Sequence, residues 1–565
     1  MNHAPTRRLV LAAALLPMLA GCARIPISSG VQSTPLPSAA QDAAPYVEPR
    51  GPEPGAGPVQ IAEGFIRAGA GAADDYAVAR EYLDPAVAEA WDPGEAIVVY
   101  AAGEEIVAEE VGEATVRVSL QVIAMIDAVG ARTRLPEPTT REIVLPMREV
   151  DGQWRITAPP AGIFLTDTVF GLLFSAIRLF HLDISRRHLV PEIRWVPARS
   201  LAASGLALLG TPPVAYLAQA VTSALPEGFT VREAAIGTAG DGSPRVILPA
   251  SLSALPATQR ALALAQIAAT AQSIPALAGV RFMLDGDVVE PPVQGAPWRP
   301  GVGHRPIGAG ERGMIALDEQ GPSGAPLQLV PALEDRAVRG PALAARGPLA
   351  AAWDPASGEI LLASTDGSVP LRAVAVGAGV TAPSIDDHGY VWTSAGTSAG
   401  ALLALHRTGG DADVRVEVPW LQQRQVLGMQ LSTDSTRLIV LSQQGTARVL
   451  DLAAVVRDDR GAPLGVTSPR RIHTELSRID QAVWYDETAL LLHGAATVGA
   501  EPRAVLLDFA TGEEMLSLLR AGTERLAGSS AASSLWASTG EGELLRSDGA
   551  GWEAVPFPAR DPAFH

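Results

Sequence analysis

Hydrophobic and polar positions change period several times along this chain. An apolar run of twelve residues, Leu9–Ala20, is followed by a stretch to residue 58 with no period at all. From Val59 the pattern turns helical: Ile61, Phe65 and Ile66, then Tyr76, Val78, Tyr82 and Leu83, recur around a Gly/Ala break at 68–73. Strand patterns come next. Ala96–Tyr100 is short and apolar, and Val116, Val118, Leu120 and Val122 alternate with polar partners over Thr115–Ile126. Glu142–Val150 and Gln153–Ile156 flank Asp151-Gly152, a strong two-residue hairpin signal.

Helices followed by an antiparallel sheet ending in Gly152-Gln153-Trp154-Arg155-Ile156 resemble an NTF2-like cone domain. The most apolar stretch after that is Ile163–Leu182, whose second half, Ala176–Leu182, reads as a strand. Asp167 and Arg178 interrupt it, which argues against a membrane span. A hairpin can close through Asp183–Arg187 into Leu189–Pro197. The spacing then predicts helices over Ser200–Gly210 and Pro213–Leu225, strands at Thr230–Ile236 and Arg245–Leu248, a long helix at Thr258–Gln272 and a strand at Val280–Leu284.

Leu208-Leu209-Gly210-Thr211-Pro212, Ala224-Leu225-Pro226-Glu227-Gly228, Gln266-Ile267-Ala268-Ala269-Thr270 and Arg281-Phe282-Met283-Leu284-Asp285-Gly286 together resemble the GerMN domain. One departure is visible. The acidic strand residue that pattern places after Val246 is replaced by the apolar Ile247-Leu248-Pro249.

Beyond about residue 312 the pattern becomes short strands broken by Gly, Asp and Ser. Markers recur at Trp353-Asp354, Trp392, Thr433-Asp434, Trp484 and Trp536, with gaps of 39, 41, 51 and 52 residues. Periods near 40 to 50 residues, each holding several strands, are expected of a β-propeller. Five or six blades are countable, and closure can borrow a strand from elsewhere in the chain. The reading is a multidomain α+β and all-β protein: signal peptide 1–21, Pro-rich tether 22–58, NTF2-like domain 59–162, GerMN-like domain 163–290, linker 291–312 and propeller 313–565.

Composition changes this picture in two ways. The 565 residues carry a net charge of −18, which argues against nucleic acid as a partner. All 43 basic residues are arginine, and Asn2 is the only asparagine. The codons for lysine and asparagine are AT-rich, so a GC-rich bacterial genome is expected. Without lysine, Schiff-base chemistry, a phosphate-loop lysine and a Ser-x-x-Lys pair are excluded.

The single cysteine follows the apolar run. Arg7 and Arg8 form a basic start, Leu9–Ala20 has the length of a signal-peptide core, and Leu19-Ala20-Gly21-Cys22 resembles a lipobox. In that reading Cys22 becomes the first mature residue, carrying a thioether-linked diacylglycerol and an N-palmitoyl chain. Two such signals give stable anchoring where one chain binds marginally. No other cofactor is expected. Pro26, Pro35, Pro37, Pro45, Pro49, Pro52, Pro54 and Pro58 favour an extended tether. At about 3.1 Å per residue it reaches up to roughly 110 Å.

Candidate chemistry elsewhere is sparse. Gly396-Thr397-Ser398-Ala399-Gly400 fits a nucleophile elbow but follows a propeller-like strand, so a Gly/Ser hairpin is the simpler reading. His181, Asp183 and His188 could converge across a hairpin as metal ligands, but no fourth ligand is evident and no metal is assigned. Asp386-Asp387-His388 reads as a blade turn, with calcium conceivable. Asp74-Asp75, Glu104-Glu105 and Glu109-Glu110 read as solvated faces.

The order from lipobox to propeller resembles the actinobacterial LpqB lipoprotein family. The residues carrying the match are Cys22-Ala23-Arg24-Ile25-Pro26-Ile27-Ser28-Ser29, Leu189–Pro197, and Pro383-Ser384-Ile385-Asp386 leading to Val391-Trp392-Thr393. The resemblance implies a non-enzymatic protein on the extracytoplasmic face of the cell membrane. It also implies an accessory role in MtrAB-type two-component signalling, through the extracytoplasmic domain of the sensor kinase MtrB. A peptidoglycan-binding lipoprotein is the alternative, and a serine hydrolase using Ser398 a third. Fluorophosphonate labelling that disappears in Ser398→Ala is the result the hydrolase reading requires; absence of labelling is the expected outcome.

Overall fold

Pro58 opens the first helix, Pro58–Ala68, where its missing N–H costs nothing, and Gln60 Oε1 accepts the Gly57 N–H at 3.0 Å. The helix buries Ile61, Ala62, Phe65 and Ile66. The computed structural model describes residues 48–565 except 104–105, 300, 322–323, 378, 395–399, 498, 533 and 550. Cys22, the tether up to residue 47, Ser398 and the Glu104-Glu105 pair lie outside the described residues.

The helix covers a six-stranded sheet. Its spatial order is Gln153–Ile156, Arg132–Val150, Thr115–Asp127, Ala96–Tyr100 and Ile163–Thr166, with Val107–Gly112 also paired to Thr115–Asp127. Val116, Val118, Leu120, Val122, Ala124 and Ile126 alternate into the core. Asp151 and Gly152 both adopt left-handed φ, 53° and 75°, as a tight hairpin turn requires. The strand before that turn begins at Arg132, ten residues earlier than the hydrophobic pattern predicts. Its first half is polar and exposed, and the register shifts opposite Val122/Ala124, where Pro136 and Pro138 fall outside the ladder.

Two smaller sheets follow. Phe174–Asp183 pairs with Leu189–Pro197 and with Val221–Thr222. A four-stranded sheet runs Ile236–Thr238, Pro244–Ile247, Arg281–Leu284 and Asp287–Val289. The helix Ala257–Gln272 is buried all around from Ala263 to Ala271, which its alanines permit. Thr270 Oγ1 accepts the Phe180 N–H at 3.1 Å and ties it to the first of these sheets.

The helix expected over Pro213–Leu225 does not form. The segment instead forms turns ending in the strand Val221–Thr222. Its apolar residues serve a different contact: Tyr216, Leu217, Ala220 and Val221 join Val190, Ile439, Leu441 and Trp484 in one core shared with the propeller. The strand expected at Thr230–Ile236 is likewise reduced to a single turn of 3-10 helix, Glu233–Ala235, before Ile236–Thr238.

Among the described residues, six antiparallel sheets build the propeller. Five follow in chain order, with inner strands Arg339–Leu343, Ser384–Ile385, Gln425–Leu431, Arg478–Trp484 and Thr523–Ala527. The remaining sheet takes Pro306–Gly310, Gly313–Gln320 and Pro326–Gln328 from its start and Arg560–Phe564 from the chain's end. Pro306–Gly310 lies in the stretch expected to be linker; its small residues hide a strand signal. Trp392, Trp484 and Trp536 are buried between the blades.

Closure of this ring depends on Asp561. Its carboxylate accepts from Arg339 Nε at 2.6 Å and Nη2 at 3.0 Å, and from the Gly340 N–H at 2.8 Å, joining the last strand to the next blade. Burial alone raises a carboxyl pKa, but the Arg339 pair and the backbone donor outweigh it and hold Asp561 below its ordinary 3.8. A depressed carboxylate contributes stability that is present above 3.8 and lost as pH falls through the folded value. Asp561→Asn is therefore expected to cost about 2–3 kcal/mol in urea unfolding at pH 7. The difference from the parent should shrink below about pH 4.

Candidate functional site

The hairpin Phe174–Asp183/Leu189–Pro197 carries an unusual density of buried charge. Glu192 and Arg194 alternate inward on one strand, and His181 meets Glu192 from the other. His181 Nε2 lies 3.1 Å from Glu192 Oε1, which also takes Arg194 Nε at 2.6 Å. Burial raises the Glu192 carboxyl pKa, but His181, Arg194 and the Val214 N–H pull it below the ordinary value. Arg194, fully buried, also donates to Val129 O at 2.7 Å and Pro212 O at 2.8 Å. It therefore fastens the hairpin to the first domain. Beside it, the Trp195 N–H donates to Gly130 O at 2.8 Å, and Gly130, at φ 80°, is packed so tightly that a side chain would strike Trp195 O.

The tip of the same hairpin faces the propeller. Asp183 folds the turn on itself: its Oδ1 accepts the Arg187 and His188 N–H groups, each at 2.7 Å. Its Oδ2 takes both the N–H and the hydroxyl of Ser185. His188 is fully buried between two carboxylates, with Nε2 3.0 Å from Asp387 Oδ2 and Nδ1 3.6 Å from Asp183 Oδ2. Desolvation disfavours its charge, yet the two carboxylates raise its pKa to about 9 and Asp183 falls to about 2.

On the propeller side, Asp387 and His388 sit in a turn organised by Asp386. Asp386 Oδ1 accepts the His388 and Tyr390 N–H groups, each at 2.9 Å. Its Oδ2 takes Trp392 Nε1 at 2.8 Å and Arg457 Nη2 at 2.6 Å. Burial and the Arg457 charge lower the His388 pKa to about 4, so its ring is neutral at physiological pH. Trp298 closes the cluster, its backbone pairing with Arg187 and Leu189 at 2.7 and 2.8 Å. Trp298 and Asp387 also line a cavity of about 490 Å³ around the propeller axis, which reaches Arg339 and Asp561.

The structure thus brings together residues from two separate sequence clusters. Asp183 and His188 converge, but His181 turns away to Glu192, and the third member is His388. Periodicity within the hairpin could not reveal a partner 200 positions away in sequence. Arg194, Arg457 and Glu192 were not legible as site residues either. The one signal available was the presence of charges at inward positions of the strand Leu189–Pro197. Of the acidic pairs, Asp74 and Asp75 are exposed, with Asp75 beside Arg80. Glu109 pairs with Arg117 on the outer sheet face, and Glu110 is exposed.

Fold and joint define a three-domain chain in which a β-propeller is locked to two α+β domains through buried charge. Three family models match it in order: "Lipoprotein LpqB, N-terminal domain" over residues 51–171, "Sporulation and spore germination" over 179–290, and "Lipoprotein LpqB beta-propeller domain" over 319–564. The chain belongs to the LpqB lipoprotein family. Lipoprotein LpqB of Cutibacterium acnes is 27% identical over 538 residues, spanning 88% of this chain and 87% of that protein. Lipoprotein LpqB of Bifidobacterium longum is 32% identical over 187 residues, which span 31% of this chain and 32% of that protein. Among solved structures, a chain of a nidogen/laminin complex is 11% identical with a TM-score of 0.34, covering 47% of this chain and 98% of that one. That likeness is too slight to bear on function.

Arg194 offers the direct test of how the domains are held. Arg194→Met leaves Glu192 with only His181 Nε2 and the Val214 N–H as partners and orphans two carbonyls. A loss of about 3–5 kcal/mol is expected in denaturant unfolding. Limited proteolysis should cleave faster around residues 128–131.

Proposed function

We propose that this protein is a lipid-anchored accessory of a two-component sensor kinase on the extracytoplasmic face of the membrane. Cys22 carries the diacylglycerol, the Pro-rich segment is the tether, and the folded domains bind the external domain of an MtrB-type kinase. Family membership supports the anchor. Among the described residues, no helix is long and apolar enough to cross a membrane.

The observation that carries the binding role is an uncovered sheet face. In the strands Pro244–Ile247, Arg281–Leu284 and Asp287–Val289, the inward residues Val246, Leu248, Phe282 and Leu284 are buried. On the opposite face Ile247, Met283 and Val288 stand in register with one another. Ile247 is 46% and Val288 57% exposed. Ile247 is the residue that replaces the carboxylate expected after Val246. An apolar row on an otherwise polar surface favours a protein partner. Arg245 and Arg281 alternate with it along the same face; Arg281 is paired with Asp241, and Arg245 offers charge to an acidic partner.

Binding can change signalling only by favouring one kinase state over another, because equal affinity for both shifts nothing. Full-length lipidated protein is expected to recover the kinase from solubilised membranes. Ile247→Glu combined with Val288→Glu should lower that recovery at least tenfold, equivalent to about 1.4 kcal/mol. Cys22→Ala should release the protein from the membrane fraction. Sedimentation with purified cell wall and no kinase recovery would favour the peptidoglycan reading instead.

A further inference from the structure

We propose that Asp183, His188 and His388 form a zinc site that bolts the hairpin to the propeller. The three side chains come from two domains, and one donor atom of each lies within 4.8 Å of the others. Two imidazoles and a carboxylate, with one position left for water, are a zinc donor set.

Four features of the surroundings support this. First, His188 Nδ1 is buried and makes no hydrogen bond, at 3.6 Å from Asp183 Oδ2. That separation exceeds a hydrogen bond and suits two ligands of one ion held at about 2.0–2.2 Å each. Second, the other ring nitrogen of His188 sits 3.0 Å from Asp387 Oδ2. A ligating histidine usually gives its second N–H to a carboxylate, which fixes its orientation. Third, Asp183 and His388 are already positioned, Asp183 by Ser185, Arg187 and its own turn, His388 by Asp386. Gly461, at φ 89°, leaves the space the His388 ring occupies; a Cβ there would collide with it.

Fourth, the carboxylates here have acceptor capacity to spare: Asp386 is paired with Arg457, whereas Asp387 Oδ1 is buried without a partner.

The test is metal content and stability of the purified full-length chain in detergent. Mass spectrometry of metals after zinc supplementation is expected to find one zinc per chain. Chelation should lower Tm by several degrees and added zinc should restore it, since a ligand bound only by the folded state stabilises it. Cobalt(II) substitution should give the visible absorption of a four-coordinate site. His388→Ala removes a ligand while leaving the ion pairs of His188 intact, so it should fold, lose zinc and become insensitive to chelator. Asp387→Asn should weaken zinc binding about 10–100-fold. Less than a tenth of an equivalent of zinc in the parent, stoichiometric iron in its place, or zinc retained undiminished in His388→Ala would each overturn the assignment.

Discussion

An imidazole with no access to water is held only where other polar groups take the place of solvent, and His188 meets that condition solely because two domains meet around it. Asp183 belongs to its own hairpin, but Asp387 is supplied by the propeller. Separated, each half leaves a buried or newly exposed charge without its partner, which is costly. The apolar contact beside it works the same way. Val190, Tyr216, Leu217 and Val221 are surface residues of the middle domain that become core only against Ile439, Leu441 and Trp484. The joint is therefore part of the fold and not a contact between independent modules.

This constraint shapes what the protein can do. Arg194 extends the same buried network back to Val129 in the first domain, and Arg470 Nη2 reaches Arg132 O from the propeller side at 3.1 Å. All three domains consequently present their surfaces in a fixed relation. The Asp561–Arg339 pair holds the propeller ring shut at the far side of the same axial cavity.

Much of the fold was legible because it rests on local rules. Asp151-Gly152 announces its hairpin through backbone preference alone, and Gln153–Ile156 follows it. The strand Ala96–Tyr100 and the helix ending at Gln272 appear where period predicts them. The recurrence of tryptophan and Thr-Asp markers exposed the propeller, and Trp392, Trp484 and Trp536 are buried. The failures share one cause. Pro213–Leu225 has helical spacing, but its apolar residues are spaced to fill a surface of another domain. His181 looked like a partner for His188 because it is near in sequence; His388 is the residue near in space. A site assembled across a domain boundary leaves only half of its pattern in either segment.

The sheet face bearing Ile247, Met283 and Val288 is the surface proposed to dock on the external domain of a sensor kinase. A photocrosslinking amino acid at position Ile247 of the full-length lipidated protein, activated in intact cells, tests it most directly. Crosslinked peptides from the kinase's external domain are expected, and none when the group is placed at the exposed Leu464 of the propeller. Crosslinks confined to other proteins or to cell-wall material, with the kinase present in the same membranes, would contradict it.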